Sequence, residues 1–264
     1  MRVVGLCNPI VDFYLYDDKI LLNGGGTVSN ILVNLSSFGI KTSIIGYYGS
    51  DHLGSYAKES LELAHVDTTN LERKNFKTKI FFIDENGTTS ACPFCGNKRK
   101  NYKAKTNIKE FIREDDLILI QDFYPMRDLP NKIIWDFGYS QGIIYMDKQE
   151  LEALMFREYY MVNIKKSVLG TVLKKLDITF CEFKSSMDIE FLIITDGKNG
   201  SKIVYNRKEY DFKPQTFSEI ETNGCGDIYF ATFISEFIKK NRTDTLDIES
   251  IQNLAQKNVE NVIS

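Results

Sequence analysis

The sequence predicts an α/β fold organised around a mostly parallel sheet. Short apolar runs alternate with amphipathic, helix-like stretches along the whole chain, and no internal repeat or Pro- or Ser-rich linker interrupts that alternation. Runs such as Leu117-Ile118-Leu119-Ile120 and Phe191-Leu192-Ile193-Ile194 are apolar at every position. A strand needs that pattern only when helices cover both faces of its sheet.

In chain order, β-branched and aromatic runs predict strands over 2–6, 11–16 and 42–47, the last two separated by a helix over 28–38 that Gly39 closes. A helix over 53–64 follows, with apolar residues at helical spacing. A hairpin over 79–83 and 88–91 turns on Asn86-Gly87, the strongest short turn signal. An antiparallel hairpin in a parallel α/β chain is expected to lie off the main sheet, as a lid. Beyond it come a Lys/Arg-rich stretch over 96–105, a helix over 108–113 and strands over 117–121 and 133–136. A helix over 148–157, strands over 159–162, 191–195 and 202–205, and helices over 227–239 and 248–262 complete the chain.

Composition narrows the function. Of 264 residues, 43% are hydrophobic and 26% charged, with a formal net charge of -3. No basic excess is present to neutralise a phosphate backbone, so nucleic acid is not the expected partner. The longest apolar runs fall short of the ~20 residues that cross a bilayer, and Met1 leads straight into strand-like sequence. A cytoplasmic protein with no membrane partner is expected. Five cysteines at uneven spacings do not form a disulfide framework in a chain of this length.

Two glycine-rich segments carry chemistry. In Asn223-Gly224-Cys225-Gly226-Asp227, glycines flank a small residue just before an amphipathic helix. Bare backbone turns tightly there, and the first N–H groups of a helix have no internal partner and sit at its positive end, which makes an anion site. Asp227 at its edge is read either as a base beside that site or as an ordinary acidic residue of a first helical turn. The second segment, Gly24-Gly25-Gly26-Thr27-Val28-Ser29-Asn30, lacks the Gly-Lys-Ser/Thr of a P-loop and the spacing of a dinucleotide fingerprint. Asn30 suits the hydroxyls of a sugar, or serves as a structural amide; Asp12 grips two neighbouring hydroxyls, or is a surface strand residue.

Together these segments resemble the two signatures of the ribokinase-like, or PfkB, carbohydrate kinase family. Gly25-Gly26-Thr27-Val28-Ser29-Asn30 with Gly39 is similar to the first, and Gly46-Tyr47-Tyr48-Gly49-Ser50-Asp51-His52-Leu53-Gly54 to the stretch that follows it. Thr222-Asn223-Gly224-Cys225-Gly226-Asp227 resembles D-T-x-G-A-G-D, with Glu221 for the first Asp and Cys225 for Ala. Thr195-Asp196-Gly197-Lys198-Asn199-Gly200 resembles the T-x-G-x-x-G stretch near the nucleotide. The resemblance implies one ribokinase-like domain over 1–264, a central mostly parallel sheet flanked by helices, with a small β-lid formed by about 11–17 and 79–105. It implies transfer of the ATP γ-phosphoryl group to an alcohol. By motif position Asp227 is the base, and Gly224, Cys225 and Gly226 form the anion hole. Asp12, Gly25, Gly26 and Asn30 line the acceptor pocket, while Asn163, Thr195, Gly197 and Gly200 lie at the nucleotide. ATP and Mg²⁺ are the implied cofactors, and a homodimer through the lid is implied by relatives.

Two departures stand out. Asn163-Ile164-Lys165-Lys166 occupies the place of N-x-x-E, so Lys166 replaces the glutamate tied to the Mg²⁺ water shell. Cys92-Pro93-Phe94-Cys95 resembles one zinc-ribbon knuckle without a second, so a zinc site shared across a dimer stands against free thiols on a loop. The expected function is a sugar or sugar-derivative kinase, with a fructose-amine or ribose-like acceptor. A nucleoside kinase and a sugar- or nucleotide-binding pseudokinase are the alternatives.

Overall fold

A computed structural model describes residues 1–85, 87–93, 108–121, 129, 132–137, 146–155, 158–186, 188–213, 224–240 and 246–263. The chain forms two compact units, one of Met1–Asp116 with Met126–Leu129 and Glu219–Ser264, the other of Leu117–Pro125 with Pro130–Ser218.

In the first unit, β1 (Val3–Leu6) pairs in parallel with β4 (Thr42–Gly49), and β4 with β5 (Asp67–Lys74). The four residues of β1 are all buried, as a strand covered on both faces requires. Helix α1 (Thr27–Ser37) buries Val28, Ile31, Leu32 and Leu35, one helical stripe, and packs on β1 and β4. Helix α2 (His52–Leu63) starts at Asp51, whose carboxylate accepts from Gly54 N at 2.8 Å. The same carboxylate takes Thr78 N at 2.8 Å and Thr78 Oγ1 at 2.6 Å, fixing the chain just before β6 (Ile80–Asp84). Burial works against the ionised Asp51, but these hydrogen bonds prevail and hold its carboxyl below the usual range. Arg2 is clamped on the buried Asp116, with Nη2 at 2.7 Å from Oδ2 and Nε at 3.2 Å from Oδ1.

A second, four-stranded sheet in this unit runs in the order β3-β2-β6-β7, with β2 (Ile10–Leu15), β3 (Ile20–Gly25) and β7 (Thr89–Ala91). The hairpin over β6 and β7 is antiparallel, and β2 pairs in parallel with β6 and antiparallel with β3. Late in the chain, α6 (Cys225–Lys239) is buried along most of its length and packs against both α1 and α7 (Ile248–Ile263). Tyr229 donates to Gln252, and Asn258 Nδ2 donates to Thr232 Oγ1 at 3.0 Å, so the α6–α7 seam has paired polar groups.

The second unit is a sheet in the order β13-β12-β11-β10-β9-β8. Strands β8 (Leu117–Ile120), β9 (Lys132–Asp136), β10 (Glu158–Lys165) and β11 (Asp188–Thr195) are parallel. Strands β12 (Ser201–Tyr205) and β13 (Lys208–Phe212) add an antiparallel edge hairpin. Helices α3 (Lys148–Met155), α4 (Lys166–Leu176) and α5 (Phe180–Ser186) belong to this unit.

Several expectations need correction. The stretch 108–113 is a single 3-10 turn over Ile108–Glu110, not a helix. Strands β3, β5 and β13 and helices α4 and α5 are absent from the sequence reading. Cys7 lies just past β1 and is half-buried, its Sγ 3.8 Å from Ser29 Oγ. Cys92 is buried and Cys95 lies outside the described residues, among which no cluster of three or more His, Cys, Asp or Glu can hold a metal. No helix among the described residues is long and apolar enough to cross a membrane.

Candidate functional site

The acceptor-side candidates and Asp227 all belong to the first unit. Gly24 and Gly25 end β3, paired with Val11 and Ile10 of β2. Asp12, two residues into β2 from Ile10, therefore points at the end of the glycine run. A Cβ on Gly25 would stand 2.1 Å from Asp12 Oδ2, so glycine is required there for the carboxylate to fit. Asp12 is only 9% exposed, which rules out the surface-residue reading. Burial raises its carboxyl to about 6, against a lowering by the Gly26 N–H.

Gly26 leads into α1, and one turn on Asn30 N donates to Gly26 O at 2.9 Å. From that turn Asn30 Nδ2 donates to Asp227 Oδ2 at 2.8 Å. This contact joins segments 197 residues apart in sequence, and it brings the first glycine-rich segment to the second. Asn30 Oδ1 has no hydrogen-bond partner among the described residues.

Asp227 sits in the first turn of α6, where the helix end favours a carboxylate. Gly224 precedes the helix with φ 81, a left-handed conformation that glycine adopts without strain. Asp227 N and Ile228 N close the first turn on Gly224 O, at 3.0 and 3.1 Å. The amides of Cys225 and Gly226 stand ahead of that first bond, at the positive end of a helix 15 residues long. A Cβ on Gly226 would meet no atom of the described residues within 4 Å. Packing among those residues does not require glycine there, yet the position is bare. Phe230 and Phe233 of the same helix are buried. Such an arrangement can hold an anion beside an ionised carboxylate.

The remaining candidates belong to the second unit. The register pairs Asn163 with Ile193 and Lys165 with Thr195, so Asn163, Lys166, Thr195 and the 3-10 turn Gly197–Asn199 share the carboxyl end of the parallel strands β10 and β11. Ligands of open α/β sheets bind at that end. Gly197 and Gly200 have φ of 53 and 101, and Asp196 N donates to Gly200 O at 2.8 Å, closing a tight loop. Lys166 Nζ is 2.7 Å from Asp196 Oδ2, an ion pair that holds the Asp196 carboxyl below its ordinary range.

The sequence reading missed Asp136. It ends β9, is 1% exposed, and accepts from Asn163 Nδ2 at 3.0 Å. Its only signal is an acidic residue closing an apolar strand. Asn163 Oδ1 is buried and has no hydrogen-bond partner among the described residues.

A family model described as pfkB family carbohydrate kinase matches residues 2–132. An uncharacterized sugar kinase of Pyrococcus horikoshii is 25% identical over 245 residues, covering 87% of this chain and 78% of the relative. Its structure in complex with ATP aligns at a TM-score of 0.71 and 17% identity, over 97% of this chain and 90% of that one. A Methanocaldococcus jannaschii nucleoside kinase, an archaeal member of the ribokinase family, aligns at a TM-score of 0.75 and 17% identity over 100% and 92% of the two chains. Aminoimidazole riboside kinase of Salmonella enterica, solved with aminoimidazole riboside and an ATP analog, aligns at 0.75 and 14% identity over 98% and 91%. The fold is ribokinase-like, a mostly parallel sheet flanked by helices. The chain belongs to the pfkB family of carbohydrate kinases and is a phosphotransferase acting on a hydroxyl group.

Proposed function

We propose that this protein transfers the γ-phosphoryl group of ATP to a hydroxyl of a sugar or sugar derivative in the cytoplasm. The observation that carries the proposal is the Asn30–Asp227 hydrogen bond, which puts a hydroxyl-binding amide against a carboxylate at the head of an anion-binding helix. On this reading Asp227 takes the proton of the acceptor hydroxyl. The freed oxygen lone pair forms the bond to the γ-phosphorus, the bond from that phosphorus to the β-phosphate oxygen breaks, and ADP leaves with those electrons. Gly224, Cys225 and Gly226 receive the charge that develops on the transferring group. Asp12, Gly25, Gly26 and Asn30 hold the acceptor, and Asn163, Thr195, Gly197 and Gly200 hold the nucleotide.

Among the described residues, burial and the Gly26 N–H set the Asp12 shift, and no cation is among its causes. An uncompensated carboxylate repels an acceptor that already carries phosphate and favours a neutral or amine-bearing one. That supports fructose-amine or ribose-like acceptors, with nucleosides as the neutral alternative. Mg²⁺ bound with ATP would offset phosphate charge. Asn163 Oδ1, a buried acceptor in want of a donor, and the neighbouring Asp136 fit the water shell of such an ion, whereas Lys166 presents only donors. The proposed lid of about 11–17 and 79–105 includes β2, β6 and β7, which share a sheet with β3, and its residues 94–105 lie outside the described residues. The exposed Leu15, Ile20, Leu21 and Leu22 of that sheet support a homodimer through it.

The test is turnover with Mg-ATP across pentoses, hexoses, fructose-amines and nucleosides, in parent and Asp227→Asn protein. One acceptor should be phosphorylated by the parent, and the variant should lose at least about 100-fold in kcat with its fold intact. Asp227→Asn turnover within tenfold of the parent removes Asp227 as the base.

A further inference from the structure

The two ends of the Asn30 amide have different fates. Its Nδ2 is committed to Asp227 Oδ2 at 2.8 Å, while Oδ1 has no partner among the described residues. The backbone that carries it is fixed on both sides: its N–H donates to Gly26 O at 2.9 Å and its carbonyl accepts from Asn34 Nδ2 at 2.9 Å. The Asp227 backbone is likewise fixed by its N–H bond to Gly224 O at 3.0 Å. Two rigid helix starts thus hold the amide and the carboxylate against each other.

We infer that Asn30 is the positioning residue for the base, beyond its part in holding the acceptor; the inference rests on the proposed phosphoryl transfer. A carboxylate turns freely about its terminal torsion unless something selects one orientation. The Nδ2–H bond selects it. The same bond is charge-assisted, so it stabilises the carboxylate that is to accept the proton. Oδ1 of the same amide accepts a hydroxyl next to the reacting one. A hydroxyl donating to Oδ1 polarises the amide and strengthens the N–H that grips the base. Acceptor binding and base alignment are thereby coupled through one side chain. The acceptor class is a polyol in which a second hydroxyl lies beside the one that is phosphorylated.

The experiment uses ¹³C-labelled aspartate in the full chain. The Asp227 carboxyl signal is identified by its loss in Asp227→Asn and titrated in the parent, Asn30→Ala and Asn30→Asp. Losing one hydrogen bond to a charged group should move the midpoint up by about one pH unit in Asn30→Ala. Asn30→Asp keeps the shape but sets a like charge beside the base, and its midpoint should move at least as far. The acid limb of kcat, measured with Mg-ATP and D-fructose or D-ribose, should move by the same amount. A midpoint unchanged in both folded variants overturns the inference and leaves the kinase reading standing. A midpoint that moves while the acid limb stays overturns the base assignment and the inference together. A purely structural asparagine would change melting temperature and leave both readouts alone.

Discussion

Gly226→Ala separates a phosphate-binding helix start from an ordinary one. Gly226 is the second residue of α6, and no described atom lies within 4 Å of its hypothetical Cβ. Among the described residues beyond its own helix turn, a methyl there meets nothing. Alanine is the better helix former by up to about 1 kcal/mol, and it removes backbone freedom from the unfolded chain. The end of a helix captures part of that, so a gain of about 0.5 kcal/mol and about 1–2 °C in Tm is expected. Catalysis should respond in the opposite direction. Helical Cα–Cβ bonds tilt toward the N-terminus, so the methyl projects to the end where the proposed anion site lies. Displacing the phosphoryl oxygen from one amide removes the equivalent of one oxyanion-hole donor, about 2.7 kcal/mol, or about 100-fold in kcat. Gly170→Ala is the matched control. Gly170 lies in α4 with nothing described within 4 Å of its Cβ position, so it should gain stability and keep full activity. ADP formation by coupled assay, with melting curves on the same preparations, decides the matter. Gly226→Ala turnover within threefold of the parent, in a protein that melts higher, refutes the anion-hole assignment.

Other perturbations have signs fixed by the same geometry. Burial raises the Asp12 carboxyl to about 6 while the unfolded value stays near 3.8, so between those pH values the folded chain keeps a proton that the unfolded chain releases. Stability therefore falls as pH rises through that window, and Asp12→Asn should stabilise the ligand-free protein by about 1–3 kcal/mol at pH 7.5 and by little at pH 4. Urea unfolding at the two pH values checks this, and an equal gain at both contradicts it. In parent protein the acceptor KM should rise as pH drops below about 6, because the neutral acid grips hydroxyls less strongly. Arg2→Met leaves Asp116, 1% exposed, without its bidentate partner, and should lower stability by about 3 kcal/mol by chemical denaturation, with kcat unchanged at a permissive temperature.

The legible part of the molecule is the part where glycine or apolar runs encode backbone. Gly224, Gly226 and Gly26 announce turns into helices by lacking side chains, and β8 and residues 191–194 of β11 announce themselves by lacking polar ones. What escaped is structure supplied by partners rather than by local pattern. Strand β5 buries only Thr68 and Leu71 and reads as polar coil, because pairing with β4 at the sheet edge makes it a strand. Strand β3 ends in glycines, which carry no strand signal, and its Ile20, Leu21 and Leu22 are exposed. The β12–β13 turn passes through Asn206 and Arg207, both at positive φ, without the Asn-Gly pair that signals such a turn. Gly170, Thr171 and Val172 weaken the propensity of α4, and burial of Val168, Leu169, Val172 and Leu176 overrides it. Asp12 was legible as a residue type and illegible as a buried one, since its cover comes from the register that sets β2 against β3.

Lys166 shows how a departure from a family pattern is absorbed. Exchanging a carboxylate for an ammonium reverses the charge at the start of α4, and the ammonium is met by Asp196 at 2.7 Å. Both side chains reach solvent, so the pair adds little stability. Its consequence is electrostatic: the loop after β11 sits beside a locally neutral pair, and its backbone, turned by Gly197 and Gly200, is what it presents to a ligand. Among the described residues, Asn163 Oδ1 near the end of β10 is a buried acceptor without a partner, beside Asp136 at the end of β9. Both are fixed by sheet pairing, which moves less than the first residue of a helix. On the proposed reading, Asn163 and Asp136 would be the residues that hold the water of a bound metal ion, in place of the glutamate of the family pattern.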